Sequence, residues 1–441
     1  MAFRGVQGPV APAGLAFGEA NATIMGPRNE VWRDMHVLFI EPLFPGNQRD
    51  FVRGLREVGA EVSAIGESPV EALGSEVASW LSHYEQVGSV CDEEALERAA
   101  RRIHERRPVE RLEATVEVHI LPAARVRERL GIPGTSVRTA WLCRDKPAMK
   151  EALRDAGVPT ARSLGSGDGD ALRSFAREIG LPVVVKPRAA AGASGTYRVD
   201  SFERLDALLP DLGVGAGAEV AIEEFVEGHE AFYDTLAIGG RVVHDFVTHY
   251  YPNVLEAMRT RWISPQFITT NRVDWAEGYG EVREMGRRVI EVLGIGTSAT
   301  HMEWFIGERG LRFSEIGCRP PGVRTWDLYG SANDMDLYRE WAMCVVRGRP
   351  GQTPSRRYSA GIITLRPDRD GTIRRYEGLD EIERRYGEWI IDTHIPPPGT
   401  PTQPVDGGYM ANAWLRLRHP DYDELRRMLD DVGRTVRLRA A

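Results

Sequence analysis

The sequence predicts a mixed α/β (α+β) fold, on three observations. A continuous apolar run, HVLFIE (36–41), is followed by Phe51, Leu55 and Val58 at helical spacing and by a second run, EVSAIG (61–66), which together read as a β-α-β start. Further strand-like runs recur among helical patterns: LPVVVKP (181–187), VAIEEFV (220–226), the stretch 232–248, and the pair HMEWFI and LRFSEI (301–306, 311–316). The length, 441 residues, suggests about three domains at roughly 150 residues each.

The elements follow in order. Residues 1–34 are rich in Gly, Ala and Pro without sustained periodicity and read as an extension. Residues 35–135 read as an N-terminal α/β domain. Its first strand leads into PLFPGNQ, which lacks the GxGxxG turn of a dinucleotide fold, so NAD is discounted. Helical patterns fill 92–107 and 122–130. The punctuation Gly131-Ile132-Pro133-Gly134 then sets a boundary near 135, ahead of a helix expected from Val137 to Ala156. A central domain would span 136–349 and a C-terminal mixed α/β segment 350–441. The latter contains IPPPGTPTQP (395–404), whose five prolines cannot donate to a sheet ladder and mark a surface loop.

Composition excludes several classes. With 56 Lys+Arg against 64 Asp+Glu, the net charge of −8 argues against nonspecific nucleic-acid binding, which needs cations to displace counterions. No run reaches the ~18 apolar residues of a membrane helix, and the N-terminus has no secretory pattern, so no membrane partner and a cytoplasmic location are expected. Cys91, Cys143, Cys318 and Cys344 form no CxxC pair, against a disulfide framework or zinc knuckle. A homodimer is left open.

Three segments carry chemistry. Only Lys146, Lys150 and Lys186 are lysines in a chain that otherwise uses arginine, so each calls for a reason. Lys186 ends a strand and precedes RAAAGASGT (188–196), whose small residues leave backbone N–H groups uncovered for phosphate oxygens; an ordinary hairpin is the other reading. EEFVEGHE (223–230) sets Glu223 at a strand end and Glu230 seven residues on. In HMEWFIGERGLRFSEIGCRPPG (301–322), a three-residue loop Glu308-Arg309-Gly310 would pair Gly307 with Leu311 and put Glu303 opposite Glu315. Facing carboxylates repel unless a cation lies between them, which suits Mg2+ with phosphate oxygens; two exposed glutamates on a surface hairpin is the alternative.

The order of these features, over about residues 136–330, resembles the ATP-grasp superfamily, which includes D-alanine:D-alanine ligase, biotin carboxylase and amino-acid ligases. The resemblance implies an ATP-grasp fold behind an N-terminal pre-ATP-grasp domain. It also implies roles: Lys146 and Lys186 on nucleotide phosphates, and a phosphate-covering loop at Gly192, Ser194 and Gly195. Glu223 with the backbone of Glu224 and Val226 would meet adenine, and Glu230 ribose. Glu303 and Glu315 would bind Mg2+, or Mn2+, and Arg319 would steady the transferred phosphoryl group. Lys150 is expected to be a plain helix-surface residue, and His301, His249 and Arg324 are candidate substrate contacts. Many members carry Asn two residues after the second metal-binding Glu, where this chain has Gly317.

The implied activity is ATP-dependent ligation of a small-molecule carboxylate to an amine through an acylphosphate. A carboxylase, an ester- or thioester-forming enzyme, and a non-catalytic ATP-binding regulator are the alternatives.

Overall fold

A computed structural model describes residues 34–188, 195–275, 278–405, 409–410 and 413–441. The extension expected at the N-terminus, and Gly192 and Ser194 of the expected phosphate loop, lie outside the described residues. The chain divides into two compact units, Met1–Asp34 and Met35–Ala441, and every element described belongs to the second.

Four strands, β1 (His36–Ile40), β2 (Glu61–Gly66), β3 (His83–Gln86) and β4 (Arg111–Glu113), form a parallel sheet in the order β3-β2-β1-β4. All five β1 residues are buried, as a run without alternation requires in a sheet covered on both faces. Helix α1 (Gln48–Glu57) packs Phe51, Val52 and Leu55 inward. Helices α2 (Gly74–Trp80), α3 (Glu93–Arg106) and α4 (Ile120–Leu130) follow; Asp92 caps α3 by accepting from the N–H groups of Glu94 and Ala95.

The helix expected over 137–156 is two helices, α5 (Val137–Leu142) and α6 (Lys146–Asp155). Pro147 has no N–H to continue the ladder, and the Asp145 side chain accepts from Ala148 N at 3.0 Å, so a new helix begins at Lys146. That restart aims α6 and its lysines.

An antiparallel sheet follows in the order β5-β8-β6-β7, from β5 (Ser163–Ser166), β6 (Val183–Pro187), β7 (Tyr197–Val199) and β8 (Val220–Glu224). The largest sheet is antiparallel throughout. It is built from β9 (His229–Ile238), β10 (Arg241–Tyr251), β11 (Gln266–Thr269), β12 (Ser298–Gly307), β13 (Gly310–Gly317), β14 (Ser359–Leu365), β16 (Ile390–His394) and β17 (Ala413–His419), in the order β13-β12-β9-β10-β11-β14-β17-β16. Strands β15 (Ile373–Glu377) and β18 (Arg437–Ala440) pair separately. No described helix is long and apolar enough to cross a membrane.

The β12–β13 hairpin corrects the expected turn. Gly307 pairs with Gly310, not Leu311, so the loop is the two residues Glu308 and Arg309. Such a loop would throw the glutamates onto opposite faces, but a bulge between Glu303 and Trp304 inserts Ser314 and restores Glu303 opposite Glu315.

Candidate active site

All three lysines of the chain converge on two glutamates. Lys150 Nζ lies 2.7 Å and Lys186 Nζ 3.0 Å from Glu223 Oε2, while Lys146 and Lys186 stand 3.5 and 3.8 Å from Glu315 Oε2. Helix α6 supplies Lys146 and Lys150, β6 carries Lys186 near its end, β8 carries Glu223 and β13 carries Glu315. Lys150 is therefore not a helix-surface residue: it is 1% exposed. Residues i and i+4 share a helix face, so a buried Lys146 carries Lys150 inward with it.

Burial penalises each of these charges, and the partners decide the outcome. Glu223 faces two ammonium groups, which overcome burial and hold its carboxyl at about 2. Lys150 shares that one carboxylate with Lys186, so burial wins and its pKa falls to about 8. Burial also opposes the charge of Lys186, but Glu223 and Glu315 together leave its pKa raised. Glu315 is held below the usual range by the three lysines against burial.

Cross-strand partners share a face, and one face of the large sheet collects the remaining site residues. His301, Glu303 and Phe305 of β12 pair with Asp234, Phe232 and Glu230 of β9. His301 Nδ1 lies 2.7 Å from Asp234 Oδ1, and its Nε2 lies 3.7 Å from Glu303 Oε1. Burial favours the neutral ring, but Asp234 and then Glu303 outweigh it and push His301 up to about 9, so it is an imidazolium at neutral pH. Asp234 also accepts from the Tyr329 hydroxyl at 2.5 Å. Glu230 Oε2 accepts from Val254 N at 2.7 Å, yet burial and Glu303 push its carboxyl up to about 8.

A cleft is lined by Glu117, Arg144, Lys146, His301, Glu315 and Arg319. Arg319 Nε donates to Glu117 Oε2 at 2.7 Å. Glu224 is drawn to Arg309, and its N–H donates to Arg162 O at 2.9 Å. Gly195 adopts a left-handed conformation at φ 68° beside Pro187. Val226 follows the end of β8, in the segment that joins it to β9.

Two candidate contacts lie elsewhere. His249 pairs with Ala231 and so faces the opposite side of the sheet, where its Nδ1 lies 2.9 Å from His229 Nε2 and its Nε2 lies 2.8 Å from the Tyr279 hydroxyl. Arg324 precedes the helix Thr325–Asn333 and is occupied by Asp327 and Asp50. The sequence reading missed Lys150, Glu117, Arg144, Asp234 and Tyr329. The i, i+4 spacing from Lys146 was a usable signal for Lys150, whereas the others depend on contacts across 27 to 202 residues.

Residues 151–331 match the family model described as the ATP-grasp domain. The chain carries an ATP-grasp domain. It is 25% identical over 326 residues to the L-arginine-specific L-amino acid ligase of Bacillus subtilis, covering 70% of this chain and 75% of that one. It is 41% identical over 107 residues to the D-alanine–D-alanine ligase of Desulforudis audaxviator, covering 23% of this chain and 35% of the relative. Among solved structures, the L-amino acid ligase of Bacillus licheniformis superposes with a TM-score of 0.72 at 16% identity, over 93% of this chain and 99% of that one. The named relatives in sequence put the chain among ATP-grasp enzymes of the ligase class.

Proposed function

We propose that the protein uses Mg-ATP to activate the carboxylate of one small molecule, an amino acid by kinship with its relatives, for attack by the amine of another. The observation that carries this reading is the lysine cluster: three buried ammonium groups within 2.7–3.8 Å of Glu223 and Glu315, beside a third carboxylate, Glu303, on the strand facing Glu315.

The residues fit nucleotide and metal on two counts. Glu223 Oε1 is buried with no hydrogen-bond partner among the described residues, which leaves an acceptor for a ligand donor. Burial first, and then the nearby Glu303 and Glu315, push Glu230 up to about 8, and a hard cation held by Glu303 and Glu315 would relieve that crowding of carboxylates. Glu303 and Glu315 are the proposed Mg2+ ligands, with Mn2+ as a substitute, and Lys146, Lys150 and Lys186 the proposed phosphate contacts. Gly195 would help cover the phosphates, while Glu223, Glu224 and Val226 would border adenine and Glu230 would hold ribose.

Mg-ATP supplies the γ-phosphoryl group and a divalent charge. The barrier is the approach of one anion to another, so the chain's contribution is fixed positive charge. His301, kept cationic by Asp234, faces that cleft from within β12, and Arg319 from just beyond the end of β13. The lysines hold the polyphosphate end without solvent reorganisation because they are already buried and paired. No side-chain nucleophile is required. We also propose the division into domains at 35–135, 136–349 and 350–441, a cytoplasmic location, and a homodimer as the assembly to test.

The test is phosphate release on mixing protein and Mg-ATP with pools of amino acids, followed by mass spectrometry of any new amide. Release that requires two amino acids and yields their dipeptide supports the reading. ATP bound but never turned over with any pool would contradict it.

A further inference from the structure

Gly317 stands two residues after Glu315, where many ATP-grasp members carry an asparagine, and the space before it is filled from another part of the chain. A Cβ on Gly317 would lie 3.1 Å from Glu117 Oε2, closer than ordinary contact, and 3.4 Å from Arg319 Cγ. Glu117 opens the short turn Glu117–His119 ahead of α4, outside the matched 151–331. Its carboxylate therefore takes the room that a side chain at 317 would need.

That carboxylate has two cationic partners. Arg319 Nε donates to Oε2 at 2.7 Å; Arg144 Nη1 reaches Oε1 at 3.3 Å and donates to the Glu117 carbonyl at 2.6 Å. Arg319 Nη1 also donates to Pro320 O at 2.8 Å, so the guanidinium is held along two edges of its plane. Burial opposes the charge of Arg319, and Glu117 outweighs burial and leaves its pKa raised. Without Glu117, Arg144 and Arg319 would lose the one carboxylate that hydrogen-bonds to both among the described residues.

We propose that Glu117 is a positioning residue: it fills the room beside Gly317 and fixes Arg319, with Arg144, toward the phosphoryl end of the cleft. This rests on the ligase reading above. It gives the segment before α4 a part in phosphoryl transfer without any contact of its own with the nucleotide.

The test uses MgADP with and without aluminium fluoride, a mimic of the phosphoryl group in transit, titrated calorimetrically into the full chain. Wild type should bind MgADP more tightly with fluoride. Glu117→Ala should lose at least about tenfold of that gain, as for removal of a charged transition-state contact, while its MgADP affinity stays near wild type. Gly317→Asn alone should also lose it, because its Cβ meets Glu117. The double variant Glu117→Ala/Gly317→Asn should recover most of it, because the amide oxygen can accept from Arg319. If Glu117→Ala does not fold, Glu117→Gln should show a smaller loss of the same kind. A full fluoride gain in Glu117→Ala or in that substitute, or equal loss of MgADP affinity with and without fluoride, overturns the proposal. A wild type with no fluoride gain overturns the ligase reading and this proposal with it.

Discussion

The two faces of strands β9, β10 and β12 hold histidines in opposite states. On one face His301 sits between Asp234 and Glu303 and is pushed up to about 9. On the other, His249 and His229 stack 5.1 Å apart among Tyr251, Tyr279, Trp304 and Tyr422; burial and their mutual repulsion pull His249 down to about 3, and burial and Arg426 pull His229 down to about 4. The same strands carry both, so alternation separates the carboxylates around His301 from the aromatic rings around His229 and His249, although Asp245, paired with Arg283 and Arg356, shares the second face further along β10. The residue type marks neither; its neighbours across the strands do.

Substitutions can break this contrast, and the largest effect belongs to the charged face. Arg319→Ala should lower kcat by about 10²-fold or more with little change in ATP binding, whereas Glu230→Ala should chiefly raise the KM for ATP, as steady-state kinetics and direct binding would reveal. An Arg319→Ala enzyme that lost ATP affinity and kept its turnover would reverse these roles.

Lys186→Arg comes next. The charge is kept, but a planar fork replaces a compact ammonium that lies 3.0 and 3.8 Å from two different carboxylates. We expect kcat/KM for ATP to fall by about tenfold or more, by analogy with loss of a well-placed donor; unchanged turnover would show that either cation serves.

The aromatic face should respond in stability instead. His249→Leu takes from the His229 ring its buried partner and leaves the Tyr279 hydroxyl only Thr270, a cost of about 1–3 kcal/mol by urea denaturation, with kcat unchanged. Reduced kcat at full stability would tie this face to the chemistry.

The smallest expected effect is in pH dependence, and its sign differs between the faces. His229 and His249 have folded pKa values near 4 and 3, below the ordinary 6.5, so their contribution to stability is complete above pH 6.5 and is lost as pH falls toward those values. His301, at about 9, contributes fully below pH 6.5 and loses that contribution as pH rises through 9. Urea midpoints measured across pH should show His249→Leu flattening the acid limb and His301→Asn the alkaline limb.

Much of the charged face was legible in the sequence. The apolar runs located β1, β2 and the β12–β13 hairpin to within a few residues, because buried strands cannot be polar on both sides. The Glu303–Glu315 pairing was reached through a loop length that is not the real one; a bulge at Ser314 makes up the difference, and a bulge on an edge strand leaves no mark in the sequence. The break at Asp145-Lys146-Pro147 was readable as a cap followed by proline, and reading it would have drawn attention to the buried face of α6. Asp234 could not be found that way, since its role depends on the register of β9 against β12. Glu117 could not either: it reaches Arg319 across 202 residues, and only the fold brings it there.

If the carboxylates of the charged face serve a metal-bound nucleotide, nucleotide affinity must depend on the metal, and that dependence must vanish with the carboxylates. Isothermal titration of ADP, with and without Mg2+, into wild type and into Glu303→Gln/Glu315→Gln measures both. Mg2+ should tighten ADP binding to wild type by about tenfold, a difference of about 1.4 kcal/mol, and the gain should disappear in the double variant while metal-free binding persists. Equal affinity with and without Mg2+ in wild type would contradict the assignment of Glu303 and Glu315 to the metal.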